Sequence, residues 1–240
     1  MSADSSDDIL RREPFVGRGV YGEFSTLRRP ENGVDEIVRL TDPSASVKTI
    51  HWGRNYIFAA EYATEGGRVP VVVKQFSNQG LRKKLDRRWR KSKAERSWKV
   101  AGELVRQGLA TPEPLLWMES DDPEGPSFFV AERLEDAFEV RNFFRRLNND
   151  PGDDAFPDVD ETEFLERLGN LARRINDAGI LYRDLSMGNI LAVEDQRQIG
   201  LFLIDFNRAR IGRRLGVYSR TRDICRLPIL KREHQAAFLK

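Results

Sequence analysis

At 240 residues, 40% hydrophobic and 32% charged, with a formal net charge of +2, the chain is long enough for one large domain or two small lobes with a shared cleft, and a packed core under a charged surface is expected. Its single cysteine, Cys225, excludes an intrachain disulfide and a cysteine-based zinc site, and two histidines far apart in sequence speak against a His-ligated metal. No apolar run approaches the roughly 18–20 residues that span a bilayer, and the opening MSADSSDDIL lacks the basic-then-apolar order of a secretory signal, so cytoplasmic residence is expected.

Residues 1–13 read as a disordered tail. The stretch FVGRGVYGEF then holds Gly17, Gly19 and Gly22 in G-x-G-x-x-G spacing. From Val47 the pattern turns to strands: VKTI, the turn-like HWGRN, YIFAAEYA, the breaker TEGGR and VPVVVKQF, an antiparallel meander. Residues 82–96, RKKLDRRWRKSKAER, carry nine bases and two acids and lead into a helix with Ala94, Trp98, Ala101 and Val105 on one stripe. Gly108 ends that helix and TPEP prevents its continuation. LLWM and SFFVAERL supply two more strands around the turn DDPEG.

Residues 147–163 carry seven acids and no base, and within them the loop 147–160, with two prolines, is the least ordered internal stretch. Phe164, Leu168, Leu171 and Ile175 then mark a second helix, closed at Asp177-Ala-Gly179. ILYRDLSMGNILAV, the polar turn EDQRQ and IGLFLIDFNRAR follow, a loop and a small hairpin. Residues 208–232 carry nine bases and one acid. The chain closes on REHQAAFLK, an amphipathic pattern with no stop signal, so further helical chain is expected beyond it.

The chemistry concentrates in the loop and hairpin. Pairing NILAV with LFLID brings Asn189 and Asp205 together at one end. An amide oxygen and a carboxylate are hard ligands suited to Mg²⁺, which keeps several waters and takes few protein groups. Asp184, further back in the loop, can orient an attacking hydroxyl and accept its proton. Positioning, metal charge and one base are what phosphoryl transfer from ATP requires.

R-D-x-x-x-x-N (Arg183, Asp184, Asn189) followed by I-D-F (Asp205, Phe206), with the lysine strand VPVVVKQF upstream, resembles the protein-kinase-like fold. More narrowly, VVVKQF, KSKAERSWKVAGELVRQGLATPEPL, RDLSMGNIL and LIDFNRAR resemble the lipopolysaccharide kinase family that phosphorylates Kdo or heptose in the inner core, over a span from about Val47 to the C-terminus. The resemblance implies an α+β, two-lobed fold: an N-lobe over residues 14–132, a five-stranded antiparallel sheet with one helix, and a mainly helical C-lobe over residues 133–240. It implies ATP and Mg²⁺, with Lys74 on the nucleotide phosphates, Asp184 as base, and Asn189 and Asp205 on the metal. The implied acceptor is an anionic glycolipid, a lipopolysaccharide precursor, met at the inner face of the cytoplasmic membrane; no nucleic-acid partner is expected.

The phosphate loop of such a fold lies shortly before the lysine strand, which favours Gly53, Arg54 and Asn55 in HWGRN over the glycines at 17–22, read as an ordinary turn. Glu132 and Leu134, at the connection between the lobes, are placed to present backbone groups to the adenine. Residues 82–96 read either as solvated surface or as a basic, Trp-bearing contact with anionic head groups, and the Arg-rich block 208–232 offers bidentate contacts to acidic sugars.

Three departures from the pattern matter. Asn207 stands where the family has Gly, and Asn is the next most tolerant of unusual dihedrals. Tyr182 stands where a packing His is usual. The helix acid that pairs with the strand lysine should fall at Ser97; Glu95 lies about 100° around the helix from Ala94 on the other side and is an alternative, as is Lys74 held by Asp205 and the nucleotide. The rival readings are a small-molecule phosphotransferase or a protein kinase, the latter disfavoured by the absence of Ala-Pro-Glu after Asp205, and a nucleotide-binding pseudokinase scaffold, favoured by Ser97 and opposed by the intact Asp184, Asn189 and Asp205.

Overall fold

A computed structural model describes residues 11–53, 55–77, 91–148, 156–195, 198–212 and 215–240. The chain divides into two compact units, Met1–Arg106 with Pro112–Arg133, and Gln107–Thr111 with Leu134–Lys240.

The first unit is built on a seven-stranded antiparallel sheet: β1 (Arg12–Gly17), β2 (Val20–Ser25), β3 (Lys48–Trp52), β4 (Asn55–Thr64), β5 (Gly67–Phe76), β6 (Pro114–Ser120) and β7 (Ser127–Glu132). Their spatial order is β1-β2-β6-β7-β5-β4-β3. Two of these strands go beyond the five expected, and Arg12 and Glu13, assigned to the tail, begin β1. The reason lies in FVGRGVYGEF. Gly17 pairs with Val20, leaving Arg18 (φ 55°) and Gly19 (φ 73°) as a two-residue turn with both central φ angles positive, which matches the twist of the flanking strands. Arg is an unusual residue for that position, so the turn carries no Asn-Gly or Asp-Gly signal. Gly22 is needed for a different reason. A Cβ there would lie 2.0 Å from the Trp117 carbonyl oxygen, so only glycine lets β2 approach β6.

One face of the sheet buries Phe15, Phe24, Phe58, Tyr62, Val71, Val73, Met118 and Val130 against Ile37 and Leu40 of helix α1 (Val34–Thr41), an element the sequence did not announce. Within α1, Glu36 is 4% exposed. Its carboxylate accepts from Arg39 Nε and Nη2, both at 2.7 Å, and from the Ala63 N–H at 2.7 Å, stitching the helix to β4. Burial alone raises the Glu36 carboxyl, but the Arg39 guanidinium and the Ala63 N–H outweigh it and hold it below the usual 4.5. A depressed acid stabilises the fold above its unfolded value and loses that contribution as pH falls through the folded one. Glu36→Gln is therefore expected to cost about 1 kcal/mol at pH 7, with the gap to wild type closing as pH falls below 4.5; denaturant titrations at neutral and acid pH check this.

The opposite face is covered by α2 (Lys93–Arg106). Side chains alternate along β2, so Glu23 points away from Phe24, and it accepts from Trp98 Nε1 of α2 at 2.9 Å. Ala94, Ser97, Trp98, Val100, Ala101 and Leu104 are buried, and Gly108 (φ 65°) follows the helix end. Residues 82–90 of the basic segment and residues 149–155 of the acidic loop lie outside the described residues.

The second unit contains α3 (Val140–Leu147), α4 (Glu161–Asp177), α5 (Val217–Ile224) and α6 (Arg232–Leu239). Strands β8 (Ala137–Glu139), β10 (Ile190–Asp195) and β11 (Gln198–Leu203) form a three-stranded sheet in the order β11-β10-β8, and β9 (Ile180–Leu181) pairs with β12 (Arg210–Ile211). Asp160 caps α4 by accepting from the Glu163 N–H at 2.8 Å, and Glu161 and Glu163 complement the helix dipole. Gly179 (φ 72°) closes the helix in the left-handed conformation that glycine adopts without penalty. The α4 stripe Phe164, Leu168, Leu171 and Ile175 is buried, with Phe143 tilted against Phe164 and Phe156 meeting it edge-on. On its other side Gly169 admits the Phe238 carbonyl of α6; a Cβ at 169 would lie 1.8 Å from that oxygen.

Candidate active site

The loop between β9 and β10 carries Asp184 and Asn189, and its shape is set by its own backbone. Ser186 N–H donates to the Asp184 carbonyl at 2.8 Å and Asn189 N–H to the Ser186 carbonyl at 2.9 Å, ending in one 3₁₀ turn at Met187–Asn189. Asn189 Nδ2 donates to the Asp184 carbonyl at 2.8 Å, which fixes the amide and turns its oxygen to the opposite branch. The β10–β11 hairpin has Ile190 opposite Leu203, and Ile204 N–H donates to the Asn189 carbonyl at 3.0 Å. Asp205 therefore leaves the hairpin beside Asn189. It does so with φ 63°, a left-handed conformation uncommon for a residue with a Cβ, and its Oδ1 accepts from Asn207 N–H at 3.4 Å. The unusual dihedral falls on Asp205, not on Asn207, so the freedom of a glycine is not needed at 207.

Tyr182 anchors both acids. It is fully buried, its hydroxyl donates to the Ile204 carbonyl, and its ring meets Phe206 edge-on at 6.1 Å. Burial, then the nearby charges of Asp205, Asp184 and Asp223, push its phenol well above the ordinary range. A tyrosine that stays neutral and hydrogen-bonded is a rigid post between two carboxylates.

A residue that the sequence did not single out holds the loop from behind. Asp223 of α5 is 1% exposed; its carboxylate accepts from Tyr182 N–H at 2.7 Å and from Arg183 N–H at 2.6 Å. Arg183 has φ 66°, so these bonds pin a strained residue directly before Asp184. Burial raises the Asp223 carboxyl, opposed by the two N–H groups and by Arg226 and Arg222. The available signal was that Asp223 is the one acid in the basic block 208–232. Arg226 was likewise not singled out: its Nη1 donates to Asp184 Oδ1 at 2.9 Å, while Arg208 Nη1 stands 3.9 Å from Asp184 Oδ2.

The other expected positions belong to the first unit, apart from Leu134, which is half-buried in the second. Lys74 is half-buried on β5, its ammonium 5.5 Å from the Phe76 ring centre. Glu23, Trp117, Phe129, Lys74 and Ile57 form one cross-strand row, which sets Lys74 on the face covered by α2. Ser97, at the position expected for an acid, is buried. Glu95, its side chain 18% exposed, pairs with Lys99 at 2.5 Å and Lys91 at 3.5 Å along α2. Asn55 pairs with Phe76, two residues beyond Lys74, so the end of HWGRN lies by the lysine; Gly53 gives room to the His51 ring, and Arg54 lies outside the described residues. The 17–22 hairpin sits at the far edge of the sheet, beyond β6 and β7 from β5. Of the Glu132 backbone groups, the N–H donates to the Glu113 carbonyl at 2.9 Å. The Glu132 carboxyl is raised by burial and by Glu113.

Among solved structures, WaaP in complex with acyl carrier protein is similar to this chain, with a TM-score of 0.60 and 17% identity over 88% of this chain and 82% of that one. The PK-1 kinase of Cydia pomonella granulovirus is similar with a TM-score of 0.51 and 13% identity, over 76% of this chain and 60% of that one. At these identities the likeness speaks for a kinase-like fold. No curated protein matches the sequence. The model of the lipopolysaccharide kinase (Kdo/WaaP) family matches residues 43–235, well over half the sequence. The fold, the R-D-x-x-x-x-N loop and this match together make the chain a member of the lipopolysaccharide kinase (Kdo/WaaP) family, and a phosphotransferase.

Proposed function

We propose that this lipopolysaccharide kinase transfers the terminal phosphoryl group of ATP to a hydroxyl of Kdo or heptose in the inner core, working as a peripheral protein at the inner face of the cytoplasmic membrane. The observation that carries the reading is the gathering of Asp184, Asn189 and Asp205 where one loop meets one hairpin end. In the step, the acceptor hydroxyl gives its proton to the Asp184 carboxylate and its oxygen bonds to the γ-phosphorus. The bond from that phosphorus to the β–γ bridging oxygen breaks, and ADP leaves. Lys74 steadies the nucleotide phosphates as a point charge.

Asn189 and Asp205 are the residues that would hold Mg²⁺. Two hard oxygen donors fit an ion that keeps most of its waters, and the Asn189 nitrogen is already committed to the loop, which reserves the oxygen. When bound, the ion neutralises charge developing on the phosphate oxygens. The membrane contact rests on the basic composition of residues 82–96 and on the lipid-borne nature of the acceptor; no helix among the described residues is long and apolar enough to cross a membrane.

A nucleotide-binding scaffold is the second reading, favoured by the buried Ser97 in place of an acid on α2. Incubating the purified chain with γ-labelled ATP, Mg²⁺ and a lipid-borne inner-core precursor separates the two. The proposal expects label on the saccharide. ATP binding with no label on any sugar, lipid or protein acceptor would establish the scaffold.

A further inference from the structure

Resting on that reading, the geometry points to an anion-recognition site at the base itself: Arg226 and Arg208 select an acceptor that bears an acid group beside the reacting hydroxyl, and binding of that group releases Asp184 for proton transfer. Both carboxylate oxygens of Asp184 face guanidinium groups, Arg226 at 2.9 Å and Arg208 at 3.9 Å. The Arg226, Arg208 and Asp184 side chains are 39%, 59% and 30% exposed. A third guanidinium, that of Arg141, lies against Gly188 in the same loop, where a Cβ would come within 2.4 Å of its Nη2. Three guanidinium groups thus lie against the loop that carries the base, Arg141 also standing 3.5 Å from Glu139, while Asp223 is occupied with two backbone N–H groups.

This arrangement suits an exchange. An oxygen that accepts from Arg226 has that lone pair occupied and is poorly placed to take a hydroxyl proton. Solvent-exposed ion pairs are weak, so the contact is readily traded. A carboxylate or phosphate on the acceptor offers Arg226 a bidentate partner, stronger than the single N–H···O contact it makes with Asp184. The trade brings the acid group within a side chain's reach of Asp184, and so sets the hydroxyl next to the base. A neutral sugar gives Arg226 no reason to leave. Kdo carries a carboxylate and heptose none, so an acid borne by the sugar favours Kdo, whereas a neighbouring phosphate would serve either sugar.

Steady-state transfer by the full chain tests this with three versions of a Kdo-bearing lipid precursor: intact, with the Kdo carboxyl converted to its carboxamide, and dephosphorylated. Wild type is expected to lose at least tenfold in kcat/KM on the version lacking the recognised acid, which names carboxylate or phosphate as the source. Arg226→Gln should lose a comparable factor on the intact acceptor, chiefly in KM, and little more on the deficient one, with KM for ATP unchanged. Arg226→Lys should recover part of the loss, and Arg208→Gln should show the same pattern more weakly. Equal wild-type turnover on all three acceptors overturns the inference while leaving the kinase reading intact, as does an Arg226→Gln loss of equal size on every acceptor. No transfer to any of them, with ATP bound, sinks the kinase reading and this inference with it.

Discussion

Asp184→Asn is expected to lower phosphoryl transfer by about 10²–10⁴-fold, the range for loss of a positioned general base, while ATP affinity and thermal stability stay near wild type. The substitution keeps shape and an acceptor oxygen but removes basicity. The loop does not depend on the side chain: Asn189 Nδ2 and Ser186 N–H both bond to the Asp184 backbone carbonyl, which the change leaves in place. The lost charge pairs are partly exposed, and such pairs contribute about 0–1 kcal/mol. Single-turnover kinetics with calorimetric ATP titration check both halves. Wild-type transfer by the variant would move the base elsewhere.

Asp223→Ala is expected to impair the same reaction by another route, and with a different signature. The buried N–H of Tyr182 and the half-buried one of Arg183 lose their acceptor, and an unsatisfied buried donor costs about 1–3 kcal/mol. Arg183 is held at φ 66° partly by those bonds, so its release lets the residue before Asp184 relax and displaces Asp184, the proposed base. Both Tm and kcat should fall, and amide exchange at Tyr182 and Arg183 should accelerate. Asp223→Asn, which can accept from one N–H while presenting its own NH₂ to the other, should fall between. A variant with wild-type stability and turnover would show that the loop keeps its shape without this anchor.

How far the site could be read from sequence depended on how local its signals are. Asp184, Asn189 and Asp205 lie on a loop and hairpin whose strands have near-continuous apolar runs, and Ile190 opposite Leu203 follows from that hairpin alone. Asp223 and Arg226 reach the loop from α5 and the turn after it, about forty positions away, and only the tertiary fold brings them there. The 17–22 glycines show the reverse error of motif reading: two serve a hairpin turn and a close strand contact, in a spacing that imitates a phosphate loop. On α2, buried residues fill an arc that includes Ser97 and ends at Gly102, about 20° short of Glu95. Glu95 is drawn to Lys91 and Lys99 along its own helix, a choice that no helical wheel decides, since i,i+4 pairing and inward rotation compete. Helix α1 escapes a sequence reading because it is only eight residues long, follows a turn, and spends one inward position on Glu36, which reads as surface until Arg39 and the Ala63 N–H are seen to satisfy it.

If this loop phosphorylates a sugar of the lipopolysaccharide inner core, as proposed, the phosphate count of that core depends on Asp184. Mass spectrometry of purified inner core, from cells carrying the protein, lacking it, or complemented with Asp184→Asn, tests it most directly. One phosphate fewer is expected when the protein is absent, with its return on wild-type complementation and no return with Asp184→Asn. An inner core of unchanged mass in all three would contradict it.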